Sequence, residues 1–195
     1  MEMLLRELAL WVKYIILKWK YRGRIWFRGV PAIYAFPGSK IVINCTKVRG
    51  GRINIFSHPL SNMIGLSQRV IIIAKYGGTV EINEGVCMSG CTIYSIDSIT
   101  IGRNTDIGAG CKIIDNDFHP LPYSQRQPHE QVDKIKHRPI SIGVGCFLGA
   151  NSIILKGTTL GNNVVVGAGS VVCGTFPDNV IIAGNPAKII GQNKE

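Results

Sequence analysis

A strict six-residue period runs through the second half of this chain. Stepping by six from Ile142 gives Ile142, Leu148, Ile154, Leu160, Val166 and Val172, all branched aliphatics. Two residues before each stands Ile140, Cys146, Ser152, Thr158, Val164 or Ser170, mostly small, and a glycine follows four of the six. Further upstream the same code reads Ile101, Ile107 and Ile113, with Thr105 and Cys111 in the small slots. A period of six fits neither an amphipathic helix, which repeats at 3.6, nor a plain alternating strand. Short tandem repeats of this kind specify a solenoid whose units bury their apolar faces against their neighbours. Six residues make one flat strand and a corner, so three units close one triangular coil. The aliphatic side chain points into the prism. Its small partner also points inward, near a corner where little volume is left. The glycine is expected to supply backbone freedom at the turn. Coils then stack at the strand spacing of about 4.8 Å. Cys91, Cys111 and Cys146 fall in the small inward slots and read as apolar filler.

Between Ile113 and Ile142 the period fails. The interval is 29 residues, not a multiple of six, so the segment must leave the coil. It holds Pro120, Pro122, Pro128 and Pro139, much charge and amide, and three of the four histidines, His119, His129 and His137. That composition describes an exposed loop. Long loops in compact proteins are functional or disordered, and regular coil on both sides favours function here. The domain organisation expected is a helix and connector over 1–30, a β-helix over 31–191 with the loop extruded at about 114–140, and a short tail over 192–195. The stretch from Phe36 to Ala74 is more degenerate and should form early coils, with irregular excursions around Ser57–Gln68.

Composition narrows the partners. The chain of 195 residues is 46% hydrophobic, enough for a core, and carries a net charge of +10, which favours anionic partners. No recognised nucleic-acid module organises that charge, so nucleic acid is not an expected partner. None of the six cysteines forms a CxxC pair, and the N-terminus does not read as a signal peptide. The apolar stretch Leu8 to Leu17 is broken by Lys13 and falls short of the roughly 20 residues a bilayer span needs. The expectation is a reduced, cytoplasmic protein.

The tandem [LIV]-G-x(4) units from about Gly77 to Ile190 resemble the hexapeptide-repeat acyltransferases, whose fold is a left-handed parallel β-helix. Within that family, DNDFHPL (Asp115 to Leu121) resembles the loop motif of the maltose, galactoside and xenobiotic acetyltransferase branch, where a His-Pro carries the catalytic base. The resemblance puts His119 on that histidine. A sugar hydroxyl is a poor nucleophile near neutral pH, and an imidazole can take its proton as it attacks a thioester. Asp115, Asn116, Asp117 and Ser89 are candidates to hold the acceptor or orient His119, although Asp115 and Asp117 equally fit turn capping. A zinc site from His119, His129 and His137 lacks the ligand spacing of the β-helical carbonic anhydrases, so no metal is expected.

The C-terminal coils resemble the family's coenzyme A groove, which implies acetyl-CoA as co-substrate. Candidate donor contacts are Phe147, Gly149, Ala150, Gly167, Ala168, Cys173 and Lys188, with a backbone N–H near Ala150 or Ala168 available to an oxyanion. One departure stands out. Where relatives read V-T-K-D-[IV]-P, this chain has Val172-Cys173-Gly174-Thr175-Phe176-Pro177, so the usual threonine and lysine are missing. Lys188 matches a later basic position of the family, and Lys156 is a further candidate. The family also implies a homotrimer with active sites between subunits.

The first 28 residues read as a helix to about Lys20, with Leu4, Leu5, Leu8, Trp11, Val12, Ile15, Ile16 and Trp19 on one arc and bases off it. The arc either packs on the β-helix or a neighbouring subunit, or lies on a membrane surface as a peripheral contact. Ser61 to Ser95 resembles the branch that O-acetylates bacterial surface polysaccharides or their lipid- or nucleotide-linked precursors. Two rivals are an N-acetyltransferase for a nucleotide-linked amino sugar and a non-catalytic glycan-binding scaffold.

Overall fold

The computed structural model describes residues 2–22, 24–45, 52–58, 61–62, 64–126 and 132–194, with side chains from residue 7 onward. After an N-terminal helix, α1 (Glu2–Lys20), short strands wind around a three-sided prism. The first face runs from Ile25–Arg28 through Phe147–Leu148 and Val165–Val166 to Val180–Gly184. The second runs from Ala32–Ala35 through Lys112–Ile114 and Ile153–Leu155 to Val171–Val172. The third runs from Lys40–Ile43 through Ile140–Ile142 to Thr175–Phe176. Pairing between coils is parallel throughout. The last strand, Ala187–Gln192, folds back antiparallel on Val180–Gly184 and closes the first face. This is the left-handed parallel β-helix that the resemblance implies, built on the three-sided solenoid that the repeat specifies.

The interior follows the six-residue code. Ile142, Leu148, Ile154, Leu160, Val166 and Val172 are buried, and so are their small partners Cys146, Ser152, Thr158, Val164 and Ser170. Cys91 and Cys111 are fully buried, and the cysteines are free thiols. The hydroxyls in the small slots are satisfied locally: Thr158 Oγ1 donates to Leu155 O at 2.6 Å, and Thr105 Oγ1 to Gly143 O at 3.0 Å. A buried polar side chain therefore costs little here. Each aliphatic side chain withdrawn from water contributes about 1.5–3 kcal/mol, the main force stacking the coils.

The glycines act differently from the expectation. Gly102, Gly143, Gly149 and Gly161 have no left-handed backbone. Their need is closeness: a Cβ on Gly102 would lie 2.3 Å from Gly143 O, and one on Gly143 would lie 2.3 Å from Gly161 O. Corners stack so tightly that a methyl group has no room. The left-handed residue comes two positions later, as Asn104, Gly145, Asn151 and Asn163, types that tolerate positive φ.

The loop is outside the prism. Ile113 pairs with Ile154, 41 positions on, whereas Ile154 pairs with Val172 after 18. An earlier excursion leaves the coil between Phe56 and Ile71, and Val70 N–H closes it on Ser57 Oγ at 3.0 Å.

Helix α1 covers the first coil. Leu10 is buried, the Tyr14 ring stands edge-on to Phe27 at 5.6 Å, and Lys13 Nζ lies 4.4 Å from the centre of Tyr34. Arg69 donates two hydrogen bonds to the Glu7 carboxylate, at 3.1 and 3.3 Å. The face that meets the coils is thus Glu7, Leu10 and Tyr14. Of the apolar arc read from the sequence, Leu8, Trp11, Val12, Ile15, Ile16 and Trp19 are exposed to solvent, and the Leu4 and Leu5 side chains lie outside the described residues.

Candidate active site

The loop leaves the coil at the corner between the second and third faces, and its neck is tightly bonded. Asp115 is fully buried. Its carboxylate accepts from Ser95 Oγ at 2.6 Å, from Ile96 and Asp97 N–H at 3.0 Å, and from Asn116 Nδ2 at 3.0 Å. These donors belong largely to the preceding coil, so the carboxylate ties the outgoing limb to the corner below. Asn116 Oδ1 accepts from Phe118 N–H at 2.8 Å, and Asn116 pairs with His137 in an antiparallel bridge. Asp117 N–H donates to Lys136 O at 3.0 Å, and Arg138 N–H donates to Asp115 O at 2.9 Å. The outgoing and returning limbs are thereby zipped together.

Above the neck the chain turns sharply. Phe118 adopts φ of 60°, a costly conformation for a bulky residue, and its ring packs on Tyr94 at 4.8 Å. The next residue, His119, is exposed, and its N–H donates to Asp117 O at 2.7 Å. Pro120 behind it is buried. A strained residue packed on an aromatic ring and a buried proline thus hold His119 at the surface beside the corner.

Lys156, one coil further on, contacts the Asp117 carboxylate through Nζ, and the other carboxylate oxygen of Asp117 is buried with no partner among the described residues. His137 Nδ1 is 2.8 Å from Asp97 Oδ2. His137, Arg138, Lys156 and Cys173 line an open pocket of about 500 Å³ with Lys136 and Leu155. The His137–Asp97 pair was not foreseen, because its members lie 40 positions apart. His129 lies outside the described residues. Among the described residues no cluster of three or more His, Cys, Asp or Glu is arranged to hold a metal ion.

The candidate donor residues occupy another part of the prism. Phe147 is exposed on the first face. Gly149, Ala150, Gly167 and Ala168 lie at the corner between the first and second faces, where a Cβ on Gly149 would lie 2.5 Å from Ala168 N. Gly149 and Gly167 N–H donate to carbonyls of the next coil, Val166 O and Ile182 O, both at 2.8 Å. Ser89, buried, ends a strand on the same first face. Lys188 is exposed on the closing antiparallel strand. Of the candidate donor residues, Cys173 and Lys156 share a corner with the His119 loop. The second face therefore separates His119 from Ala150 and Ala168 within one chain.

Residues 139–173 match the family described as the hexapeptide repeat of succinyl-transferase. The chain is 40% identical over 119 residues to WbbJ of Escherichia coli K12, assigned to lipopolysaccharide biosynthesis as an O-acetyl transferase, covering 59% of this chain and 58% of that one. A maltose O-acetyltransferase from Clostridium difficile 630 superposes with a TM-score of 0.59 at 28% identity, over 79% of this chain and 72% of its own. A hexapeptide-repeat acetyltransferase from Vibrio cholerae O1 biovar eltor, complexed with acetyl coenzyme A, superposes with a TM-score of 0.56 at 29% identity, over 64% and 66%. The chain carries the hexapeptide repeat over residues 139–173 and is similar over about three fifths of its length to acetyltransferases. It spans less than two thirds of the length of the curated relatives it matches.

Proposed function

We propose that this protein transfers an acetyl group from acetyl-CoA to a sugar hydroxyl, with His119 as general base. The observation that carries the reading is the loop itself. Between Ile113 and Ile142 the coil is interrupted by a zipped, strained segment that holds an imidazole out at a corner. The imidazole takes the hydroxyl proton as the oxygen attacks the thioester carbon. A backbone N–H at Ala150 or Ala168 stabilises the oxyanion. The intermediate then collapses, the C–S bond breaks, and the proton passes from the imidazolium to the departing thiolate. The products are an O-acetyl sugar and coenzyme A, with no covalent enzyme intermediate.

His119 and the alanine corner lie on different edges of one prism, which supports a homotrimer in which the loop of one subunit faces the donor coils of another. The acceptor class is a surface polysaccharide or its precursor, by likeness to WbbJ and its assignment to lipopolysaccharide biosynthesis. Acetyl-CoA and sugar precursors are cytoplasmic, and so is the proposed site of action. The threonine and lysine missing at Cys173 and Gly174 leave Lys188 as the exposed base for the donor's phosphate end. Lys156 is engaged by Asp117 instead.

A panel of hydroxyl and amino sugars, incubated with acetyl-CoA and read by mass spectrometry, tests the proposal. A hydroxyl sugar should gain one acetyl group, and His119→Ala should lower turnover by about 10²–10⁴-fold. Preferential acetylation of the amino sugars would favour an N-acetyltransferase. An unaffected His119→Ala variant would remove His119 as the base.

A further inference from the structure

The apolar arc of α1 stands in the open. Leu8, Trp11, Val12, Ile15, Ile16 and Trp19 are each at least half exposed, Trp19 at 81%. At 100° per residue they cover one side of the helix, roughly opposite the Glu7, Leu10 and Tyr14 face seated on the first coil. Trp26, on the adjoining first strand, is also 55% exposed. A contiguous apolar strip of this size marks an interaction site.

Charge decides what covers it. Residues 1–28 carry seven bases (Arg6, Lys13, Lys18, Lys20, Arg22, Arg24 and Arg28) against two acids, half of the chain's net +10. One of those acids, Glu7, is paired with Arg69. On the helical wheel Lys18 borders the arc on one side and Lys20 on the other. A second copy of this helix would bring like charge against like charge. An anionic lipid surface would neutralise it. Lysines flanking an apolar strip can extend to the headgroups, with tryptophans at the boundary. Nor is the helix a span: no helix among the described residues is long and apolar enough to cross a membrane.

We infer that α1 docks the protein in the plane of an anionic membrane, inserting the Leu8–Trp19 arc while the opposite face stays seated on the first coil. The coil axis then stands away from the lipid, and the loop corner sits some coils above it. This placement depends on the helix alone, not on the reaction assigned to His119.

The test is co-sedimentation of the full chain with vesicles of phosphatidylcholine, with and without phosphatidylglycerol. Intrinsic tryptophan emission is recorded alongside. Binding should require phosphatidylglycerol, shift the emission to the blue and weaken with salt. Ile15→Ser with Trp19→Ser should abolish binding and leave the thermal melt unchanged, because both side chains face solvent. Lys18→Glu with Lys20→Glu keeps the apolar arc and should lower affinity by about fivefold or more per site. No binding to anionic vesicles would overturn the inference, as would binding indifferent to the serine pair. It would also fail if the serine pair lowered the oligomer mass in solution while wild type ignored vesicles, since the arc would then be a contact between copies.

Discussion

Asp115 could be read from the sequence either as an acceptor ligand or as a turn cap. Buried among four donors, its carboxylate holds the loop neck to the preceding coil. Asp115→Asn would set an amide N–H against one of those donors and leave it unsatisfied. The expected loss is about 1–3 kcal/mol, visible as a lower thermal midpoint. An unchanged midpoint would mean that the neck is not held this way. The cysteines separate on similar grounds. Burial, with the Asp106 carboxylate nearby, pushes the Cys87 thiol up to about 11. Burial also raises Cys91, Cys111 and Cys146. A thiol reacts as its thiolate, so a group with a raised pKa is mostly inert at neutral pH and gains reactivity only as the pH climbs. Iodoacetamide on the native protein near neutral pH should modify exposed Cys173 first. Cys87 should follow only as the pH approaches 11, and peptide mapping would report the order.

The elements show what a single sequence can and cannot reveal. The prism was legible because the code is local: one aliphatic and one small residue in every six places both inside. The extruded loop was legible for the same reason, as the place where the code stops. The glycines were misread, because their constraint is the carbonyl of the next coil, 18 or 41 positions away, and not their own φ. That correction has a consequence. Gly143→Ala, which asks nothing unusual of φ, should still destabilise the protein, because its Cβ meets the Gly161 backbone. Asn163→Gly, at a positive φ, should be nearly neutral. Paired denaturant titrations would show the contrast, and equal stability of the two variants would contradict it. The neck of the loop was hidden because Ser95 and Asp97 come from the preceding coil. For α1 the arc was legible and its partner was not. Glu7, Leu10 and Tyr14 took the coil contact and left the more apolar side outward.

At the scale of the molecule, the prism separates the two halves of the proposed chemistry. His119 rises at the corner between the second and third faces, and the small-residue corner of Gly149, Ala150, Gly167 and Ala168 lies a face away. Donor binding should therefore belong to the coils and proton transfer to the loop, and each should fail independently. Titrating acetyl-CoA into the wild type, His119→Ala and Ala168→Trp by calorimetry tests this division most directly. Wild type and His119→Ala should bind with the same affinity near one site per chain, and Ala168→Trp should lose binding because its indole fills the line where the pantetheine arm must run. If the wild type does not bind acetyl-CoA, or if Ala168→Trp binds as the wild type does, the coils are not a donor site and the account of an acetyltransferase fails.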